Sequence, residues 1–225
     1  MKEYNSSELV LIGGGGNSKV FRPKNDNIGV VIKRPNWRHD VDALLTKYNR
    51  LASLGIPTLL FMRKCAVDGV EAIECEDMSS GEMDYVSPNS VETETDRYRR
   101  LLSNIMSVST PKEHVENVCE QRWYRDKLNS ITNIHEFLAQ ANKNLEKITK
   151  NKIKVEYDSY FFGFSKKGGD VELGLKIADL DNIYFDCKDI NLLQKNISDF
   201  NEALKKFVNM FVAENNQGPL IDAIR

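Results

Sequence analysis

Four consecutive glycines, Gly13 to Gly16, end a short apolar run from Glu8 to Ile12 and lead into Asn17-Ser18-Lys19-Val20-Phe21; no other feature of this 225-residue chain restricts its fold as much. Residues without a Cβ let backbone N–H groups approach and cradle a phosphate. The residues just after the loop decide which architecture it belongs to. A Rossmann turn must open a helix, yet Lys19-Val20-Phe21-Arg22-Pro23 reads as strand. A Walker loop requires Gly-Lys-Ser/Thr after the glycines, and that sequence is absent. The surviving order is strand, glycine loop, strand.

Periodicity extends the pattern. Ile28 to Lys33, Thr58 to Val67 and Val70 to Cys75 read as strands, and Asp68-Gly69 between the last two signals a tight hairpin because both residues tolerate positive φ. One helix interrupts them, with Ala43, Leu44, Tyr48, Leu51 and Leu54 on its apolar face and Gly55 and Pro57 at its end. Helical spacing then takes over at Tyr98, Leu101, Leu102, Ile105 and Met106. A further helix is expected from Thr110, with Pro111 at its first position and Glu113 completing a capping box. A third carries Ile134, Phe137, Leu138, Ala141, Leu145 and Ile148 on one stripe. Tyr160 to Phe164 and Glu172 to Ala178 flank the turn Lys166-Lys167-Gly168-Gly169-Asp170 as a hairpin, and Leu193, Ile197, Phe200, Leu204, Phe207 and Phe211 mark a last amphipathic helix. Strands segregated from helices predict an α+β fold, with a small five-stranded sheet lobe over residues 1–78, a linker over 79–89 and a mainly helical lobe over 90–225.

Composition excludes several functions. A net charge of −2 argues against bulk nucleic-acid binding, which needs a basic face to neutralise phosphates. Two local basic patches, Lys143 to Lys154 and Arg97 to Arg100, read as solvated helix faces. No apolar run approaches a membrane span, and MKEYNSSEL lacks the apolar region of a signal peptide. The expected location is therefore cytoplasmic, and the polar start is compatible with secretion into a host cell. Cys65, Cys75, Cys119 and Cys187 are scattered and read as reduced thiols, and His39, His114 and His135 show no metal spacing.

The remaining motifs gain meaning together. Val30-Val31-Ile32-Lys33 ends an apolar strand in a fixed cation, on the third strand and beyond the glycine loop. Gly13-x-Gly15-x-x-Ser18-x-Val20 resembles the glycine-rich loop of the protein kinase-like superfamily, with Ser18 in place of the third glycine. Val30 to Lys33 resembles the Val-Ala-Ile-Lys motif of that family, which implies that Lys33 meets the α and β phosphates of ATP. Ala72 to Met78 resembles the last sheet strand running into the hinge, so the backbones of Glu76 and Met78 would meet adenine. Asp179-Leu180-Asp181 resembles the Asp-Phe-Gly segment. The resemblance makes Asp179 the Mg2+ ligand, with Asp181 as a second, and adds Gly14, Gly16 and Asn17 to the phosphate loop.

Other positions depart from the family. Glu156-Tyr157-Asp158 stands where kinases carry His-Arg-Asp, which makes Asp158 the acceptor of the substrate hydroxyl proton. The metal-binding Asn five residues on would be Gly163 here, and Glu156 brings a like charge beside Asp158. The helix carboxylate that should pair with Lys33 falls on Lys47, leaving Asp40 or Asp42 as substitutes. No activation segment or Ala-Pro-Glu motif is visible after Asp179. The layout is similar to the minimal kinases that pathogenic bacteria deliver into host cells. The resemblance implies an ATP- and Mg2+-dependent Ser/Thr protein kinase whose partner is a protein substrate or an activating host protein. A pseudokinase that holds nucleotide or a partner, and a small-molecule kinase of the aminoglycoside type, are the alternatives.

Overall fold

Alternation with period two builds the upper lobe. Along the strand Val30–Pro35, Val30 and Ile32 face outward into a cluster with Tyr4, Leu9, Cys65, Val67 and Ala72, whereas Val31 faces inward with Ile73 and Cys75. The computed structural model describes residues 1–14, 18–25, 29–35, 40–78, 82–87, 128–167 and 170–223. Its upper strands are β1 (Lys2–Tyr4), β2 (Leu9–Gly14), β3 (Ser18–Pro23), β4 (Val30–Pro35), β5 (Met62–Val67) and β6 (Val70–Glu76). They form one sheet in the order β1-β5-β6-β4-β3-β2. Five of these strands pair antiparallel as the sequence implies. The sixth, β1, adds in parallel to β5 through Lys2↔Cys65 and Tyr4↔Val67. This corrects the expected five-stranded sheet: three residues are too few for a period-two signal, and the parallel partner lies far along the chain. Asp68 and Gly69 take φ of 51° and 75° in the β5–β6 turn, as the hairpin signal requires.

Helix α1 (Val41–Ser53) packs against this sheet. Asp40 caps it by accepting from the N–H groups of Asp42 and Ala43, and Gly55 at φ 62° ends it. The helices expected near 98–106 and from Thr110 fall outside the described residues.

The lower lobe combines helices with short strands among the described residues. It holds helices α2 (Ile134–Lys150), α3 (Leu192–Phe211) and α4 (Glu214–Asp222), but also two small sheets. One comprises β7 (Asp84–Val86), β9 (Tyr160–Lys167) and β10 (Asp170–Ile177); the other pairs β8 (Lys154–Val155) with β11 (Ile183–Tyr184). Strand β7 lies inside the stretch expected to be linker. Tyr85 explains its place: it stands opposite Gly163, whose partner on β10 is Gly174. A Cβ built on Gly163 would sit 2.5 Å from Tyr85 Cε1, so the glycine pair forms a bed for the ring.

Aromatic rings join these elements. Phe162 of β9 stacks on Phe207 of α3 at 4.8 Å between centroids, and Phe137 of α2 lies 6.2 Å from Phe162. Each such contact contributes about 0.5–1.5 kcal/mol beyond burial. The result is a two-lobed α+β architecture, with a helix, a short strand, a hairpin and a second short strand in succession along the lower lobe.

Candidate active site

Lys33 stands in β4 opposite Val20 of β3 and Ile73 of β6, so the pleat that sends Ile32 outward sends Lys33 inward. It points into a cavity of about 350 Å³ between the lobes. Val20 and Val31 line it from the upper sheet, and Phe161 and Ala178 from the lower lobe. Cys75, Glu76, Met78 and Tyr85 close the hinge side; Asp179 and Leu180 close the opposite end beside Lys33. Apolar faces with a few charged groups at one end suit a flat ring carrying an anionic tail.

Two short turns place the carboxylates. Ser159 Oγ donates to the Asp179 carbonyl at 2.8 Å, Ala178 N–H donates to the Ser159 carbonyl at 3.1 Å, and Glu156 N–H donates to the Asn182 carbonyl at 3.1 Å. These bonds, with the Val155↔Ile183 pairing, stitch the turn around Asp158 to the turn from Asp179 to Asn182. Lys33 Nζ then lies 3.5 Å from Asp179 Oδ1 and 3.4 Å from Asp181 Oδ2. Burial works against the Lys33 ammonium, yet the two carboxylates outweigh it and hold its pKa above the ordinary value.

Asp158 sits beside this group. Its Oδ2 accepts from Asn182 Nδ2 at 2.8 Å, while its Oδ1 is buried without a hydrogen-bond partner among the described residues. Burial first, then the charge of Asp179 and to a lesser degree Glu156, raise its pKa above the usual carboxylate range; the Asn182 bond pulls the other way. A buried carboxylate oxygen without a donor is an open proton acceptor. Glu156 itself pairs with Lys154 at 3.0 Å.

The helix carboxylates expected for Lys33 are elsewhere. Asp40 caps α1, and Asp42 pairs with Lys64 at 3.1 Å. Lys47, at the family's carboxylate position, instead donates to the carbonyls of Leu180 at 2.8 Å and Asp181 at 3.4 Å. Burial lowers its pKa, with the carboxylates of Asp181 and Asp179 opposing. The α1 side therefore presents a cation to the turn, and the turn itself supplies the partners of Lys33.

The remaining expected residues divide. Ser18 and Val20 line the cavity from β3, and Gly13 and Gly14 lie on β2 opposite Val20 and Lys19. A Cβ on Gly13 would meet nothing within 4 Å, so the protein itself does not require a glycine there. Gly15, Gly16 and Asn17 fall outside the described residues. Glu76 and Met78 reach the hinge side, where the Met78 carbonyl already accepts from Tyr85 N–H at 3.0 Å. The Glu76 carboxylate is occupied by Lys176 at 2.5 and 2.6 Å and by Leu60 N–H at 2.8 Å. Gly163 lies in β9 under Tyr85, away from Asp158, so it does not mark where a metal-binding Asn would act.

Sequence reasoning missed Asn182, Phe161 and Tyr85. Asn182 is next to Asp181 and could have been flagged as a polar side chain on the same turn; Phe161 shows no signal apart from its strand. The donor set fits Mg2+. Two carboxylate oxygens near one nitrogen are placed to share one cation, and Mg2+ takes one or two carboxylates plus substrate phosphates. Among the described residues no cluster of three or more His, Cys, Asp or Glu could cage a metal alone, and no helix is long and apolar enough to cross a membrane.

No protein-family model matches the chain, and no curated protein does. Among solved structures, the chain is similar to the crystal structure of a Helicobacter pylori proinflammatory kinase, CtkA. The likeness has 13% identity and a TM-score of 0.47, and covers 99% of this chain and 80% of that one.

Proposed function

We propose that the chain is an ATP-dependent phosphotransferase, a minimal Ser/Thr protein kinase that moves the γ-phosphoryl group of ATP to a protein hydroxyl. The observation that carries this is the meeting of Lys33 and Asp179 at one end of an apolar cavity under β3 and β4, with Asp181 paired to Lys33 and Asp158 held by Asn182 on the adjoining turn. Val20, Val31 and Phe161 would hold the adenine ring, and the hinge backbone would read its edge. Lys33 would bind the α and β phosphates, and Asp179 with Asp181 would hold Mg2+. When bound, Mg2+ neutralises the charge that develops on the phosphate oxygens. Asp158 Oδ1 accepts the proton of the substrate hydroxyl as that oxygen bonds to the γ-phosphorus and the bond to ADP breaks. Residues 185–191 alone join β11 to α3, which supports a layout reduced after the Asp179 turn.

One observation favours a second reading, a pseudokinase that holds nucleotide without transfer: Lys47 occupies the place of the helix carboxylate and leaves Lys33 bound to Asp179 and Asp181. A single experiment separates the two. The protein is incubated with Mg2+ and labelled ATP, with and without host-cell lysate, beside Asp179→Ala and Asp158→Asn variants. The kinase reading expects label on protein with the natural sequence and with neither variant. A melting temperature raised by ATP, with no label transferred, would establish the module instead.

A further inference from the structure

The two carboxylates assigned to Mg2+ are the two that Lys33 holds. Its ammonium lies 3.5 Å from Asp179 Oδ1 and 3.4 Å from Asp181 Oδ2. An ammonium and a divalent ion seek the same oxygen lone pairs, and Lys33 faces one oxygen of each carboxylate. No carboxylate on α1 draws it away: Asp40 is committed to the helix cap and Asp42 to Lys64. Lys47 adds a second positive charge on the far side of the turn, but its acceptors are the backbone carbonyls of Leu180 and Asp181. The two carboxylates thus face two ammonium groups, and Asp158 lies beside them on the adjoining turn.

We propose that Lys33 and the metal ion compete for Asp179 and Asp181, so that the metal site stays closed until nucleotide phosphates draw Lys33 away. This rests on the nucleotide-site reading above. The flexible four-carbon stem of Lys33 allows the exchange. Lys47 holds the turn in place meanwhile, because its bonds to the backbone do not use the carboxylates. Metal and nucleotide then assist each other, by the same factor in each direction.

The test is calorimetric titration of Mn2+, a spectroscopically convenient stand-in for Mg2+, into the purified full chain, with and without ADP. The proteins are the natural sequence, Lys33→Met, Lys33→Gln and Asp179→Asn, each checked for folding by circular dichroism. Without nucleotide, Lys33→Met is expected to bind Mn2+ about tenfold more tightly than the natural sequence, within the usual range for coupled sites. Asp179→Asn should abolish that gain when combined with Lys33→Met, which locates it. Lys33→Gln serves in the same role if Lys33→Met does not fold. Equal Mn2+ affinity in the natural protein and the lysine variants overturns the proposal, as does no Mn2+ binding by either variant. If the variants bind tighter but ADP raises neither Mn2+ affinity nor melting temperature of the natural protein, competition stands and the nucleotide-site reading fails.

Discussion

Among the described residues, ion pairs bridge the upper sheet to the lower lobe at two places, and they are built in opposite ways. At the hinge side, Glu76 of β6 meets Lys176 of β10 at 2.5 and 2.6 Å, with both side chains about nine-tenths buried. Leu60 N–H also donates to Glu76, and the Tyr85 ring lies 4.6 Å from Lys176 Nζ. At the other end of the cavity, Lys33 of β4 meets Asp179 and Asp181 at 3.5 and 3.4 Å, and Lys33 and Asp179 are 23% and 32% exposed. The first pair is short, saturated and sealed under a ring; the second is long and shared, with Lys33 and Asp179 partly open to the cavity and Asp181 only 7% exposed. A buried charge that loses its partner is costly, so a saturated pair locks two elements together. A loose pair at the mouth of a cavity can be exchanged for a ligand at small cost. The same chemical interaction thus serves as a rivet at one end and as a latch at the other.

The contrast can be broken experimentally. The largest effect is expected at the latch. Lys33→Ala or Asp179→Ala should lower phosphoryl transfer about 10²–10³-fold, the scale of losing one charge-stabilising group, and Asp179→Ala, which leaves Lys33 paired with Asp181, should barely move the melting temperature. At the rivet the order reverses. Lys176→Met should cost about 3–5 kcal/mol in chemical denaturation by leaving Glu76 buried and unpaired. Adding Glu76→Gln to that variant should recover part of the loss. If Lys176→Met is neutral and Lys33→Ala unfolds the chain, the assignment of roles is wrong. Beneath the rivet, Gly163→Ala would drive a methyl into the Tyr85 ring and should cost about 1–3 kcal/mol by overpacking.

Asn182→Asp preserves shape, removes the donor to Asp158 and sets a like charge against it. It should lower kcat about tenfold with KM for ATP unchanged, the scale of one hydrogen bond to a charged group. A packing role alone would leave kcat intact, because the two side chains are isosteric.

The smallest effect concerns pH. The pKa of Asp158 is raised in the folded protein, so the folded state holds its proton to higher pH than the unfolded chain does. The stability this contributes is present at low pH and lost as pH rises through the folded pKa. Asp158→Asn should therefore raise the melting temperature at neutral pH, with the gain shrinking as pH falls toward the ordinary carboxylate range. A gain that is constant with pH would mean that burial of charge is not its cause.

Much of the fold was legible because its signals are local. Period-two alternation placed β3 to β6, the Asp68-Gly69 turn set their hairpin, and the 3.6-residue stripes located α2 and α3. Strands β1, β7, β8 and β11 were not legible. Each has two or three residues, and each exists only because a partner elsewhere in the chain completes its hydrogen bonds. Within the candidate site, Lys33, Asp158 and Asp179 were singled out as candidates from what lies beside them in sequence. Their partners were not, and the search for a carboxylate on α1 went to Asp40 and Asp42 because helix counting assumes a helix that supplies an acid.

The sequence alone therefore determined which residues could bear charge and on which face of a strand or turn they would stand, since backbone geometry repeats every two or 3.6 residues. It determined the cation within β4, the carboxylates after β10 and the glycines of β2. Only the tertiary structure decided who meets whom. It set Lys33 against Asp179 across 146 positions and against Asp181 across 148, Glu76 against Lys176 across 100, and Asp158 against Asn182 across 24. Those choices depend on how two lobes close over a shared cavity, and electrostatic attraction acts through space with no memory of the spacing along the chain.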